Sequence, residues 1–118
     1  AHPLEEAELI HAPGGEVLRI GKAVVGRDEA RGEFIGLAHF TSEGARQFRE
    51  LYHELDARFD GRPGQPFQEA KSFKKAYMTD IFQEMADRGF SVKTVDVESG
   101  WIEVDTEEDL AFADANWP

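Results

Sequence analysis

The stretch TSEGARQFRELYHELDARF, residues 41–59, decides the fold because it is the clearest helical pattern in the sequence. Its apolar side chains recur at steps of three and four residues, the spacing that places them on one face of an α-helix. Thr41 or Ser42 can cap the N-terminus, since a side-chain hydroxyl accepts a hydrogen bond from a first-turn amide. The sequence predicts a helix over 42–59 whose buried face is formed by Ala45, Phe48, Leu51, Tyr52, Leu55 and Phe59.

A second helix is predicted after a loop. Residues 60–66 contain two glycines and two prolines, which cannot continue a helix and favour a surface loop. Helical spacing then returns and ends at Gly89, a typical residue just beyond a helix C-terminus. The pattern predicts a helix over about 70–88, anchored by Phe73, Ala76, Tyr77, Ile81, Phe82 and Met85.

Strands are predicted before the first helix. Residues 4–12 favour a strand, and the turn at 13–15 is followed by aliphatic residues over 16–20 that fit a hairpin partner. Residues 32–40, GEFIGLAHF, have little polar alternation and predict a mostly buried strand.

The C-terminal part predicts two more strands and a helix. Polar and β-branched residues alternate over 91–98 and again over 101–104, as a hairpin or as a bend between sheets. Asp105 or Thr106 then caps a final helix that runs to about Trp117. The element order predicts an α+β fold with a mixed sheet packed against two central helices and a C-terminal helix.

Composition limits the class of protein. The 118 residues suit a single domain over 1–118, and 41% hydrophobic residues suffice for a core. There is no cysteine, which excludes disulfides, zinc knuckles and thiolate nucleophiles. The formal charge of −11 disfavours a nucleic-acid partner. No apolar run is long enough to span a bilayer, and the first residues lack a signal-peptide pattern, so we expect no membrane partner and a soluble, cytoplasmic protein.

One segment carries a specific resemblance. WIEVDT, residues 101–106, followed by Asp109-Leu110, resembles the C-terminal signature of sugar-phosphate and alcohol-phosphate nucleotidyltransferases. The resemblance implies that Asp105 helps to hold the catalytic Mg²⁺. A carboxylate at the carboxyl end of a strand suits that ion, which prefers carboxylate and phosphate oxygens. The alternative is that Asp105 only caps the helix that follows.

Two further blocks are similar to the middle of the same enzymes. VLRIGK, residues 17–22, implies that Lys22 contacts the phosphate of the acceptor substrate. GEFIGLAHF, residues 32–40, implies that Glu33 and Gly36 line the acceptor pocket, where Glu33 would meet a hydroxyl or ammonium group. A solvated strand-end lysine and a strand bulge are the structural alternatives for Lys22 and Gly36.

AYMTDIFQEM, residues 76–85, looks like a helix of the cytidylyl branch, which acts on phosphocholine or aminoethylphosphonate. The resemblance covers residues 10–116 and implies the C-terminal, acceptor-binding half of an α/β nucleotidyltransferase fold, with Mg²⁺ as cofactor. It implies a nucleoside triphosphate, a small phosphate or phosphonate acceptor and the N-terminal half of the same polypeptide as partners, and a fusion to phosphoenolpyruvate mutase as the context. Many sugar-specific members have Glu where Gly21 stands, which disfavours a sugar acceptor. Because no triphosphate-binding loop is present in these residues, we expect the chain alone to be inactive.

The competing hypothesis is a non-catalytic acidic module. The two central helices carry aromatic residues that could dimerise or dock instead of forming a core. The four histidines lack metal-ligand spacing, and no serine lies in a Gly-x-Ser-x-Gly motif, so neither set is assigned a role.

Overall fold

The computed structural model describes residues 7–118, so residues 4–6 of the first predicted strand lie outside the described part. The protein is α+β, as predicted. Its regular elements in chain order are β1 (Leu9–His11), β2 (Arg19–Gly21), β3 (Gly32–Glu33), α1 (Ser42–Phe59), a 3₁₀ turn (Phe73–Lys75), α2 (Met78–Asp87) and α3 (Glu107–Asn116).

The strands form one antiparallel sheet with the order β2-β1-β3. β1 and β2 are the predicted hairpin, with Ile10 opposite Ile20, and the turn closes where the Gly15 amide donates to the Ala12 carbonyl at 3.0 Å. The prediction of a mixed sheet was wrong for the described residues, because β3 also pairs antiparallel with β1.

The predicted strand over 32–40 was also wrong beyond its first two residues. Gly36 has a φ of +87°, which interrupts extended backbone, and Leu37 is 76% exposed. Phe34 and Phe40 instead direct their rings at Phe82, with ring centroids 5.9 and 6.1 Å apart. The apolar run therefore reflects aromatic anchors of a loop and not a buried strand.

Helix α1 confirms the prediction for 42–59. Thr41 is its N-cap, and its hydroxyl accepts from the Gly44 amide at 2.9 Å. Leu51, Leu55 and Phe59 are buried, whereas Ala45 and Tyr52 of the predicted face are exposed. The chain then leaves the helix at Asp60 and enters the predicted loop.

Helix α2 is shorter than predicted, because it begins at Met78 and not near residue 70. Residues 67–70 close a tight turn through two hydrogen bonds between the backbones of Phe67 and Ala70. The Asp80 carboxylate then accepts from the Tyr77 amide at 2.9 Å, which fixes the helix start. The predicted end is confirmed, since Gly89 has a φ of +84° and its amide donates to the Ala86 carbonyl.

The core lies between the sheet and the two central helices. α2 packs against β2, and α1 packs against α2 and the 3₁₀ turn. Leu55 is completely buried at the centre of an apolar cluster that also contains Ala12, Val17, Ile20, Leu51, Phe59, Phe67, Ile81, Phe82 and Met85.

The two predicted C-terminal strands do not form. Residues 91–104 contain no strand, and a single bridge joins Lys93 to Glu16. Helix α3 forms as predicted, with Thr106 as N-cap and Asp109 completing the capping box. The expected packing of α3 against the sheet was wrong, because no other helix or strand between residues 7 and 118 packs on it. None of the described helices is both long and apolar enough to span a membrane.

Candidate functional site

A cavity of about 180 Å³ lies beside Lys22. Lys22 directly follows β2, and the other walls come from the residue before β1, the turn after α1, the 3₁₀ turn and the first turn of α2. The lining residues are Glu8, Lys22, Glu69, Ala70, Lys75, Tyr77, Thr79 and Asp80.

The Glu69 carboxylate fixes the backbone at the mouth of the cavity. Its two oxygens accept from the Lys22 amide at 2.9 Å and the Ala23 amide at 3.0 Å. This approach requires glycine at position 21, because a Cβ on Gly21 would lie 2.0 Å from Glu69 Oε1. Glu69 therefore occupies the space into which a side chain at position 21 would extend.

Two ammonium groups make part of the cavity positive. Lys22 Nζ lies 4.7 Å from the ring centroid of Tyr77, within the range of a cation–π contact. Lys75 lines the same cavity from the 3₁₀ turn. Neither lysine forms a salt bridge with another residue of the part of the chain that the structure describes. An anionic group in the cavity would therefore meet two cations that form no salt bridge within the described residues, although the carboxylates of Glu8, Glu69 and Asp80 line the same space.

The carboxylates of the cavity differ in what they bind. Asp80 accepts from the Glu69 and Tyr77 amides, and Glu69 accepts from the two amides after β2, so both stabilise backbone. Glu8 instead accepts from the Thr79 hydroxyl at 3.2 Å. Desolvation raises the pKa of Glu8, against the Thr79 hydrogen bond and the Lys22 charge, which lower it. A cationic group that reached Glu8 would relieve this unfavourable burial of charge.

The structure does not bring the other predicted acceptor residues into this cavity. Glu33, Leu9 and Gly21 lie opposite one another across the three strands and form one row of the sheet. Lys22 directly follows Gly21 and therefore belongs to the next row. Adjacent rows of a regular sheet direct their side chains to opposite faces. Neither Glu33 nor Gly36 lines the cavity, and both are exposed. Their assignment to an acceptor site stays a prediction.

Asp105 is exposed in the turn before α3, and its amide donates to Asp109 Oδ2 at 3.1 Å. That hydrogen bond is the largest cause that lowers the pKa of Asp109. Within residues 7–118 no group of three or more His, Cys, Asp or Glu side chains could hold a metal ion. Mg²⁺ is usually held by one or two carboxylates together with phosphate oxygens and water, so the role predicted for Asp105 stays a prediction.

Sequence reasoning found Lys22 but missed Glu8, Glu69, Lys75 and Tyr77. The one sequence signal for Glu69 was indirect. Glycine at position 21, at the end of a strand and next to a candidate binding lysine, permits close approach of another group.

Comparison with known proteins gives one informative match. No family model matches the chain, and no solved structure matches it. The chain is 28% identical over 110 residues to the CTP:phosphoglutamine cytidylyltransferase of Campylobacter jejuni. The match includes 93% of this chain but 41% of the relative, so the chain spans about two-fifths of that enzyme's length. This match supports a relationship of the chain to the cytidylyltransferases, and hence to the nucleotidyltransferases that its motifs resemble.

Proposed function

We propose that this chain is the acceptor-binding half of a cytidylyltransferase, which transfers the cytidylyl group of CTP to a small acceptor bearing a phosphate or phosphonate. An oxygen of the acceptor's anionic group would attack the α-phosphorus of CTP. The bond from that phosphorus to the bridging oxygen would break, and pyrophosphate would leave. The observation that carries the proposal is the paired-lysine cavity in a chain that matches a cytidylyltransferase over 93% of its length.

The chemistry of the cavity supports an acceptor with both signs of charge. Lys22 and Lys75 would hold the anionic group, since charge-assisted hydrogen bonds to phosphate are among the stronger ones. Glu8 would meet an ammonium group, the role that the sequence assigned to Glu33. Tyr77 offers an aromatic face beside the same space. The relative's name gives phosphoglutamine as its acceptor, a phosphorylated amino acid, which is compatible with this arrangement.

Several finer parts of the hypothesis stay predictions. These are the phosphonate branch, a fused phosphoenolpyruvate mutase, an N-terminal half that binds CTP, and a Mg²⁺ ion held in part by Asp105.

The test is a pyrophosphate-release assay on the longer protein, which carries this chain together with the proposed N-terminal half. The substrates are CTP and phosphorylated amino-acid or amino-alcohol acceptors. We expect Lys22→Met and Lys75→Met each to raise the acceptor KM about 10- to 100-fold, the equivalent of one lost charged hydrogen bond. Lys74→Met is the matched control, because Lys74 is the exposed neighbour of Lys75 and lines a different cavity beside Phe59. Equal KM values for the Lys75→Met and Lys74→Met proteins would contradict the role of Lys75. Unchanged acceptor kinetics in Lys22→Met would contradict the site.

A further inference from the structure

The C-terminal segment, residues 91–117, is anchored to the body of the protein along one side. The Val17 amide donates to the Val92 carbonyl at 2.7 Å, and the Thr94 amide donates to the Gly15 carbonyl at 2.9 Å. The Arg31 guanidinium pairs with the Asp96 carboxylate at 2.9 Å. The Val92 side chain packs against the apolar cluster and Thr94 is half-buried, so with Asp96 these alternate positions define an inner side of the extended chain.

Beyond Lys93, the outer side of the same stretch carries two exposed apolar residues. Val95 is 89% exposed and Val97 is 55% exposed. A strand with one face in water ordinarily carries polar residues on that face. Two β-branched residues on the outward positions therefore indicate that another layer covers this side.

The rest of the segment is equally uncovered. Helix α3 has ten residues, and helices of this length are marginal in water without tertiary packing. The radius of gyration is 16.0 Å, against roughly 13.5 Å for a compact domain of this length. Beyond residue 98, five large hydrophobic side chains are exposed: Trp101, Val104, Leu110, Phe112 and Trp117.

We infer that residues 91–117 are an internal interface, covered by the part of a longer polypeptide that corresponds to the unmatched portion of the cytidylyltransferase. The inference rests on the proposed function, because the matched relative is much longer than this chain. On that interface residues 92–97 and 101–104 become strands, since their alternating sequence favours pairing and a neighbouring strand would supply the missing backbone partners. The C-terminal helix then packs its apolar residues against the same covering layer.

Charge argues against a second copy of this chain as the occupant. The segment is acidic, and a two-fold dimer would place like-charged copies of one patch together. The whole chain carries a formal charge of −11, which opposes self-association in general. Apart from Asp96, which pairs with Arg31 on the inner side, the acidic residues of the segment are Glu98, Glu103, Asp105, Glu107, Glu108, Asp109 and Asp114.

Hydrogen exchange tests the inference directly. In the longer protein we expect the amides of 95–97 and 101–104 to exchange at least ~100-fold more slowly than in the 118-residue chain, because local protection follows burial and pairing. Equal, fast exchange in both proteins would overturn it. The inference would also be overturned if the 118-residue chain were a dimer by light scattering and its amides were as protected as those of the longer protein. A gene that encodes no additional segment would overturn it as well.

The same longer protein is assayed for transfer from CTP, so that the two proposals can fail separately. Protected amides without transfer would uphold the interface and contradict the function. Transfer without protected amides would uphold the function and contradict the interface.

A double variant, Val95→Asp with Val97→Asp, gives an independent measurement. We expect it to reduce the protection of 101–104 in the longer protein at least ~10-fold and to leave exchange in the 118-residue chain unchanged, because both valines are exposed there. Leu37→Asp is the matched control, since Leu37 is exposed but lies outside the segment. Equal effects of the double variant and the control would overturn the inference.

Discussion

At the scale of single residues, the cavity depends on contacts between residues that lie far apart in the sequence. Lys22 could be singled out because VLRIGK resembles a nucleotidyltransferase block whose lysine contacts phosphate; the structure places Lys22 in the cavity, and its role stays a prediction. Glu69 lies 47 residues away, yet its carboxylate binds the amides of Lys22 and Ala23. Only the tertiary fold brings it there, so no local pattern could have identified it. Glu8 was missed for the same reason, because its environment depends on Thr79 and the start of α2.

The Glu8 carboxyl gives the first prediction. Because desolvation raises its pKa, its side-chain carbon signal in an NMR titration should shift at a higher pH than the roughly 4.3 of an ordinary glutamate. Glu43 is the control, since its hydrogen bond with Arg46 lowers its pKa and its midpoint should fall below the ordinary value. Coincident midpoints for the two residues would contradict the partly buried position of Glu8.

The same raised pKa has a consequence for stability. Glu8 contributes stability below its unfolded-state pKa, and this contribution is lost as pH rises through the higher folded-state pKa. Glu8→Gln cannot ionise, so the thermal midpoint of this variant should depend less on pH across that window. A variant whose pH dependence there equals that of the unchanged protein would show that Glu8 contributes nothing to it.

At the scale of elements, helices were predicted better than strands. The spacing and caps of α1 are local, so Thr41 and the buried face from Leu51 to Phe59 could be identified from sequence. A strand needs a partner strand, and the alternating residues 91–104 form only one bridge within the described residues, between Lys93 and Glu16. The start of α2 was misplaced because Phe73 packs on Phe59 and Phe67 from a 3₁₀ turn, and aromatic spacing alone imitates a helix.

The contact between β2 and α2 depends on one buried side chain. Gln83 is 2% exposed, and its amide takes the place of a neighbouring strand at the edge of β2. Its Oε1 accepts from the Ile20 amide at 2.8 Å, and its Nε2 donates to the Leu18 carbonyl at 3.0 Å. The sequence showed Gln83 only as a polar residue within a helix, without indicating that it satisfies a sheet edge.

Gln83→Leu should therefore be strongly destabilising. It keeps the approximate size of the side chain but leaves the Ile20 amide and the Leu18 carbonyl without a partner, at a cost of about 1–3 kcal/mol for each group. We expect urea unfolding to show a loss of about 3 kcal/mol in the free energy of unfolding. Gln65→Leu, in the exposed loop after α1, should change it by less than about 0.5 kcal/mol. Equal stabilities of the two variants would disprove the edge-capping role.

At the scale of the whole molecule, the proposed function assigns the described residues to the acceptor side of the reaction. They supply a cavity suited to a charged acceptor, but no cluster of metal-binding side chains. The sequence contains no phosphate-binding loop of the glycine-rich type, since the turn at 61–66 follows a helix and lacks the lysine that such a loop requires. The resemblance of the motifs implies this division, which stays a prediction, because the motifs that this chain resembles belong to the acceptor side. In the proposed function, side chains such as Glu8 and Lys75 would select the acceptor, and only the fold brings them together.

The 118-residue chain should bind an acceptor without turning it over. We expect no pyrophosphate above the protein-free blank when the chain is incubated with CTP, Mg²⁺ and a phosphorylated amino acid, because its sequence shows no recognisable triphosphate-binding loop. The same acceptor should still perturb the NMR signals of Lys22 and Tyr77, since the cavity is formed within the described residues. That perturbation separates a folded, inactive chain from an unfolded one. Robust pyrophosphate release would contradict the prediction and would mean that the chain itself contains a triphosphate site, built from residues that carry no recognisable phosphate-binding motif.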